Sequence, residues 1–275
     1  MSRTDLGSRT DLDARLPRIV AAMTDAAQET GALLTRLPRP EPARTLDELR
    51  TAFDAVDAPA TAVLRDRLAA LVPDAVWADE LDTDLPATGQ AWVADAIDGA
   101  VQYLRGMPYW CVSVALVEDG EPVAAVLHSA VLGETYTAAR GFGARRDGVP
   151  LAPLPGAELD AAIVASSQPH SAAAQPEAVA RAGRALSAVV PAVAAVRNLG
   201  PVSWQVADVA AGRLDAFWEC GRDEANLLPG ALIAREAGAR VTDLDGGAWR
   251  SDAPGFLVAH GALHGRLLEV IGRGV

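Results

Sequence analysis

The segment WVADAIDGAVQYLRGMP, which runs from Trp92 to Pro108, contains two aspartates three residues apart and a glycine directly after the second. Asp95 and Asp98 can each supply a carboxylate, and the carbonyl of Ile97 can turn inward between them. Such an all-oxygen set suits a hard divalent cation, and Mg²⁺ in particular takes few carboxylates and leaves room for water and phosphate. The backbone at Gly99 can approach an anion closely because it has no side chain. Asp-Gly pairs are also common in surface turns, so the spacing alone leaves both interpretations open.

The composition limits the class of protein. The chain has 275 residues, of which 50% are hydrophobic, so it can bury a large core in one domain or in two closely packed halves. Its formal net charge of −12 argues against a nucleic-acid partner, and such an acidic protein would need bound cations to handle phosphates. The two cysteines, Cys111 and Cys220, provide neither a disulfide framework nor a zinc spacing. With a polar N-terminus and no run of about 20 apolar residues, we expect a soluble, cytoplasmic protein that binds no membrane.

The period of the apolar residues changes along the chain. Helical spacing over 16–34 and 60–71 is followed by β-rich runs at 110–117, 123–127 and 134–138, which predict an antiparallel meander with a further turn at 145–150. From residue 161 onward, β-rich and helical runs alternate, which predicts an α/β half packed against the meander. The predicted strands are 161–165, 193–196, 215–218 and 256–259, and the predicted helices are 176–190, 202–211, 227–237 and 263–271.

Pro153-Leu-Pro-Gly156 is the predicted seam between two halves of one compact unit. Residues 1–153 would hold the N-terminal helices and the antiparallel sheet with the metal-site motifs. Residues 154–275 would form the C-terminal α/β half.

Several motifs follow one another in a fixed order and together resemble the inositol monophosphatase family of metal-dependent, lithium-sensitive sugar phosphatases. They are PDAVWADE at 73–80, WVADAIDGA at 92–100, TYTAARGFGA at 135–144, RNLG at 197–200, DAFWE at 215–219 and GALIAREAG at 230–238. The resemblance covers residues 46–271. It implies a layered αβαβα sandwich of the inositol monophosphatase and fructose-1,6-bisphosphatase type, which combines α+β and α/β features. It also implies a homodimer, for which Trp110 and the apolar meander are the candidate interface.

The chemistry of the family is phosphoester hydrolysis at two or three metal ions, which clamp the phosphate, activate a water and stabilise the departing alkoxide. The resemblance implies that Asp79, Asp95, Asp98 and the carbonyl of Ile97 are metal ligands, with Mg²⁺ as the expected cofactor. Glu80 is implied as a catalytic carboxylate that contacts water or supports the ligands.

The resemblance also implies the residues that hold the substrate. The amides of Gly99 and Ala100 would bind the phosphate, and Gly200 would line the same site. Glu219 would face the hydroxyl groups of the sugar. The expected substrate is therefore a small phosphorylated polyol or sugar.

Two departures from the family pattern affect water activation and metal charge. Ala100 stands where the family has a threonine whose hydroxyl helps to activate the attacking water, and alanine retains only the backbone amide. Asn226 stands where a metal-bridging aspartate belongs, because counting seven residues on from Glu219 and counting back from Gly230 reach the same position. An amide has no charge, so the second metal should bind more weakly. Asp223, one helical turn earlier, is an alternative ligand.

A third departure is Pro201, which stands where the family commonly has a small hydroxyl residue near the substrate. Two functions therefore stay open. The first is a Mg²⁺-dependent phosphomonoesterase with weakened activity. The second is a repurposed or inactive family member that binds a phosphorylated or polyol ligand, or that performs a non-hydrolytic step in a specialised pathway. An unrelated nucleotide binder is disfavoured because no glycine-rich dinucleotide fingerprint follows a predicted strand.

Overall fold

The computed structural model describes residues 3–78, 86–168 and 171–274, and it begins with two long helices, α1 (Arg3–Arg36) and α2 (Leu46–Ala69). The prediction of a helix starting at residue 60 was wrong about its start. Thr45 and Glu48 form a capping box before α2: the Thr45 hydroxyl accepts the amide of Glu48 at 3.2 Å, and the Glu48 carboxylate accepts the amide of Thr45 at 3.3 Å. This arrangement satisfies two N–H groups that a helix start leaves unpaired.

A seven-stranded sheet follows in chain order. Its strands are β1 (Val76–Ala78), β2 (Gln90–Asp98), β3 (Cys111–Glu118), β4 (Glu121–Ser129), β5 (Glu134–Ala139), β6 (Gly143–Arg146) and β7 (Val149–Pro150). All neighbouring pairs are antiparallel except β1 and β2. The predicted meander is confirmed over β3 to β5, and the predicted turn at 145–150 joins β6 to β7. A short helix, α3 (Ala100–Leu104), leaves the end of β2.

A five-stranded sheet and four helices make up the second half. The strands are β8 (Ile163–Ser167), β9 (Ala195–Arg197), β10 (Ala216–Cys220), β11 (Arg240–Thr242) and β12 (Gly255–Ala259), in the spatial order β11-β12-β10-β8-β9. The helices are α4 (Pro176–Val189), α5 (Val202–Ala210), α6 (Glu224–Glu236) and α7 (Leu263–Gly274). The four predicted strands and four predicted helices are confirmed to within a few residues, whereas β11 was not predicted.

Three apolar clusters stack these elements into five layers. The first joins α1 and α2 to one face of the seven-stranded sheet. The second joins the opposite face of that sheet, through α5 and α6, to the five-stranded sheet. The third covers the outer face of the five-stranded sheet with α4 and α7. The predicted αβαβα sandwich is therefore confirmed, while the division at residues 153 and 154 stays a prediction.

Trp110 lies inside the protein and not at an interface. It is 3% exposed and packs edge-on against Tyr103, with the ring centroids 5.1 Å apart. The Tyr103 hydroxyl donates to the carbonyl of Leu34 at 2.9 Å, which ties this aromatic pair to α1. The prediction that Trp110 supplies a dimer interface was wrong, because the core of the protomer takes up its whole ring. The homodimer itself stays a prediction.

Both cysteines are free and buried. Of the helices in the described ranges, none has the length and apolar character needed to cross a membrane.

Candidate active site

The two aspartates of the central motif lie where β2 leaves the regular ladder. Asp95 pairs with Ser113 and Asp98 pairs with Cys111, so β2 contains one residue more than β3 across this interval. The Asp95 carboxylate accepts the amide of Ile97 at 2.7 Å, a local turn that competes with strand pairing. Residues three apart on a regular strand face opposite sides, and the extra residue of a bulge cancels that alternation. Burial, together with the charges of Asp98 and Asp95, raises the pKa of the nearby Cys111 thiol.

The backbone at Gly99 has a conformation and a packing that only glycine tolerates. Its φ is +91°, and a Cβ at this position would lie 2.8 Å from Cγ of Pro201 and 2.9 Å from the carbonyl oxygen of Tyr109. Gly200, at the start of the segment that leads into α5, has φ +145° and would place a Cβ 2.9 Å from Cβ of Tyr109. The two glycines therefore allow the end of β2 and the start of α5 to meet across Tyr109.

A cavity of about 260 Å³ opens at this junction. It is bordered by the end of β2, α3, the residue after β8, and the starts of α5 and α6. Its lining residues are Asp98, Gly99, Gln102, Gln168, Ser171, Gly200, Pro201, Val202, Asp223 and Asn226. The structure thus brings together four predicted residues from three separate parts of the sequence: Asp98 and Gly99, Gly200, and Asn226. A larger cavity of about 570 Å³ lies between α1 and β4 to β6, and its described lining contains none of the predicted site residues.

The start of α6 fixes the two polar residues that face this cavity. The Asn226 side-chain amide donates to the Asp223 carboxylate at 2.7 Å. The backbone of Arg222 is held on both sides by Gln175, whose side chain accepts its amide at 2.8 Å and donates to its carbonyl at 3.0 Å. Asp223 therefore lines the cavity in the observed structure, and no change in the register of α6 is needed to bring it there.

Glu219 lies beside the cavity and not in its lining. It is on β10 and is 0% exposed, and neither carboxylate oxygen makes a hydrogen bond of acceptable geometry within the described residues. Burial, together with the nearby carboxylate of Asp223, raises the pKa of Glu219 well above its usual value. Its predicted contact with sugar hydroxyls stays a prediction.

Of the other predicted site residues, none is in the described lining of the cavity. Asp79 and Glu80 lie outside the described residues. Ala100 is half-buried at the first position of α3, and Asp95 is half-buried one bulge away from Asp98. Ile97 is buried, and its amide rather than its side chain is turned toward Asp95.

The cavity and the residues directly behind its lining include side chains that were not predicted. Gln102 is on α3, three residues after Gly99, and Gln168 and Ser171 lie in the segment after β8. Ser203, on α5, donates its hydroxyl to Oδ2 of Asp98. No local pattern marks these four residues, because the fold alone brings their elements together.

The donor chemistry of the site suits a hard cation, although no three Asp, Glu, His or Cys side chains of the described ranges converge on one point. Asp95, Asp98 and Asn226 offer the oxygen donors that Mg²⁺ prefers. The Glu219 carboxyl group is fully buried, and a nearby cation would stabilise its charged form. The residues present therefore fit a divalent cation in kind, with one charge fewer at Asn226 than an aspartate would supply.

Comparison with known proteins identifies the family. A sequence model described as "Inositol monophosphatase family" matches residues 17–274. The chain belongs to the inositol monophosphatase family. It is 32% identical to an inositol-1-monophosphatase of Rhizobium meliloti (strain 1021) over 224 residues, which cover 79% of this chain and 81% of that protein. It is 31% identical to the Nus factor SuhB of Escherichia coli (strain K12) over 194 residues, or 70% and 72% of the two chains.

The solved structures agree with this family assignment. The structure of inositol monophosphatase from Anabaena (Nostoc) sp. PCC 7120 superposes with a TM-score of 0.79, covers 95% of this chain and 98% of its own, and is 22% identical. This likeness supports the family's layered fold. The aligned segments span 57% to 81% of the length of the curated relatives.

Proposed function

We propose that this chain is a Mg²⁺-dependent phosphomonoesterase that acts on a small polyol or sugar phosphate, with weakened hydrolysis. Membership of the family supports phosphatase chemistry of this type. The observation that carries the proposal is the cavity in which Asp98 and Gly99, from the end of β2, face Asp223 and Asn226 at the start of α6.

In this proposal the end of β2 holds the cation. Asp95, Asp98 and the carbonyl of Ile97 are its ligands, together with Asp79, and Glu80 supports the coordinated water. Bound Mg²⁺ would neutralise phosphate charge and lower the pKa of a coordinated water. The amides of Gly99 and Ala100 hold the phosphate, because Gly99 leaves no side chain between the backbone and the cavity.

The substrate class follows from the side chains around the cavity. Gln102, Gln168 and Ser171 supply amide and hydroxyl groups, which can donate to and accept from the hydroxyl groups of a polyol. The lining contains no Lys or Arg among the described residues, so it provides no cation for a second anionic group. We therefore expect a monophosphate of a neutral polyol to be a better substrate than a bisphosphate.

Weakened hydrolysis follows from the residues at the starts of the helices. Ala100 has no hydroxyl to orient the attacking water, and Asn226 has no charge for a second metal. The Asp223 carboxylate accepts a hydrogen bond from the Asn226 side chain at 2.7 Å, and it is the candidate to supply part of that charge. Pro201 offers no donor to the substrate because proline has neither a backbone N–H nor a polar side-chain group.

The test is phosphate release from inositol monophosphate, histidinol phosphate and a nucleoside monophosphate, each with and without Mg²⁺. We expect slow, Mg²⁺-dependent release from at least one of them, and loss of that release in Asp98→Asn. An absence of turnover on all three, in protein shown to bind Mg²⁺, would contradict the proposal.

The second candidate function is a repurposed family member that binds a phosphorylated or polyol ligand without hydrolysing it. It is favoured by the presence of both Pro201 and Asn226 in the cavity lining, with Ala100 next to it. A relative in E. coli is named a Nus factor, so names within the family are not limited to phosphatases. Calorimetric binding of inositol monophosphate without phosphate release would support this second function.

We also infer a homodimer in the cytoplasm, as the family resemblance implies. Light scattering on the purified chain would measure its mass directly. A mass of 28.5 kDa, that of one chain, would contradict the dimer.

A further inference from the structure

The buried hydroxyl of Ser203 contacts the carboxylate of Asp98, the aspartate that lines the cavity. Ser203 is in the first turn of α5 and is 0% exposed. Its hydroxyl donates to Oδ2 of Asp98, which is 6% exposed and lines the cavity. The thiol of Cys111, on β3, lies 3.6 Å from the Ser203 hydroxyl oxygen and 3.9 Å from the same Oδ2.

The burial of this cluster makes the contact hard to replace. Water cannot easily take the place of a hydroxyl that has no exposed surface, so Asp98 would lose a hydrogen bond that solvent does not restore. The Cys111 thiol is also buried and donates to the same carboxylate oxygen at 3.9 Å. A thiol is a weaker donor than a hydroxyl. Two donors of unequal strength thus converge on one oxygen of Asp98.

An anchored oxygen fixes the plane of the carboxylate. Asp98 has two side-chain torsions, and a donor on Oδ2 limits the second of them, so the group faces the cavity in one orientation. Partners of this kind orient metal ligands, and their removal typically lowers metal affinity by about 10- to 100-fold. The partner here comes from α5, whose first residue Val202 also lines the cavity, so the contact joins the end of β2 to the start of α5.

We propose that Ser203 is a positioning residue that holds the Asp98 carboxylate in its cation-binding orientation, with the Cys111 thiol as a weaker second donor. This inference rests on the proposed function, in which Asp98 is a metal ligand. Ser203 touches neither cation nor substrate and acts only through Asp98.

The experiment measures Mn²⁺ binding to the intact chain, using the electron paramagnetic resonance signal of free Mn²⁺, which does not depend on turnover. We expect Ser203→Ala to weaken Mn²⁺ binding by about tenfold. Ser203→Cys, which restores a weaker donor, should bind with intermediate affinity. The matched control is Thr30→Ala, because Thr30 is also 0% exposed and its hydroxyl donates to the carbonyl of Ala26 at 2.9 Å, in α1.

The outcomes distinguish a failure of the Ser203 positioning role from a failure of the proposed function. Unchanged Mn²⁺ affinity in Ser203→Ala, or an equal loss in Thr30→Ala, would overturn the positioning role. If Asp98→Asn leaves the Mn²⁺ affinity of the wild type unchanged, Asp98 is not a ligand, and the proposed function fails together with this inference. A graded order of affinities from wild type through Ser203→Cys to Ser203→Ala, with Thr30→Ala like the wild type, supports the proposal.

Discussion

Replacing Gly99 with alanine tests the junction between the end of β2 and the start of α5. The added Cβ would lie 2.8 Å from Cγ of Pro201 and 2.9 Å from the carbonyl oxygen of Tyr109, and φ is +91°. A left-handed backbone costs a non-glycine residue about 1–2 kcal/mol. Overpacking adds about 1–3 kcal/mol, because a backbone carbonyl cannot move aside as a flexible side chain can. We therefore expect Gly99→Ala to lower the free energy of unfolding by about 2–5 kcal/mol.

Gly89 provides the matched control for this prediction. Its φ is +85°, but a Cβ there would meet no atom within 4 Å, so Gly89→Ala should lose only the backbone term of about 1–2 kcal/mol. Urea denaturation followed by circular dichroism measures both variants under one set of conditions. Equal losses in the two variants would refute the reasoning, because the close approach to Pro201 and Tyr109 would then carry no free energy of its own.

Three further predictions concern catalysis, pH and the attachment of a hairpin. Ala100→Thr combined with Asn226→Asp restores a hydroxyl and a charge, and it should raise Mg²⁺-dependent phosphate release by about 10²-fold or more; an unchanged rate would contradict the place given to Asn226. Because the pKa of Glu219 is raised above its usual 4.5, the folded chain binds this proton more tightly than the unfolded chain, so stability falls as pH rises from about 4.5 through the folded pKa. Glu219→Gln should flatten that fall in urea titrations of the metal-free protein. Glu236 accepts two backbone amides of the turn between β5 and β6, at 2.9 and 2.8 Å, so Glu236→Ala should lower the stability by about 1–3 kcal/mol, whereas the exposed Glu269→Ala should change it by less than about 0.5 kcal/mol.

The fold was predictable where a segment has one buried face or a clear change of period. The alternating runs after residue 161 gave α4 to α7 and four of the five strands of the second sheet. β2 was not predicted as a strand, because its residues are buried on both faces and two aspartates interrupt its apolar run. The start of α2 was missed because its first turns are mostly exposed, so their apolar spacing is weak, and only the Thr45 and Glu48 cap marks them.

The site residues were predictable where a sequence motif fixes their spacing. The spacing from Glu219 and from Gly230 placed Asn226, and the structure puts Asn226 in the same cavity as Asp98. Ser203 could not be found in this way, because a serine inside the apolar run VSWQVADVA has no local partner. Its partner is an aspartate 105 residues away, which only the packing of α5 against β2 brings into contact.

The groups that the proposed chemistry retains and those that it lacks belong to different kinds of secondary-structure position. The retained groups are Asp95, Asp98 and Gly99, at the end of β2. This strand is buried between two layers, and the Ser203 hydroxyl of α5 donates a hydrogen bond to Asp98. The missing groups are at helix starts, at Ala100 and Asn226, where a single side chain can change without disturbing the core. A cation and a phosphate depend mainly on the groups at the end of β2 and on the backbone amide of Ala100, whereas activation of the attacking water depends on the side chains at the helix starts. On the proposed function, affinity for a phosphorylated ligand should therefore be preserved better than the rate of its hydrolysis, and Ala100→Thr with Asn226→Asp should change the rate far more than the ligand affinity.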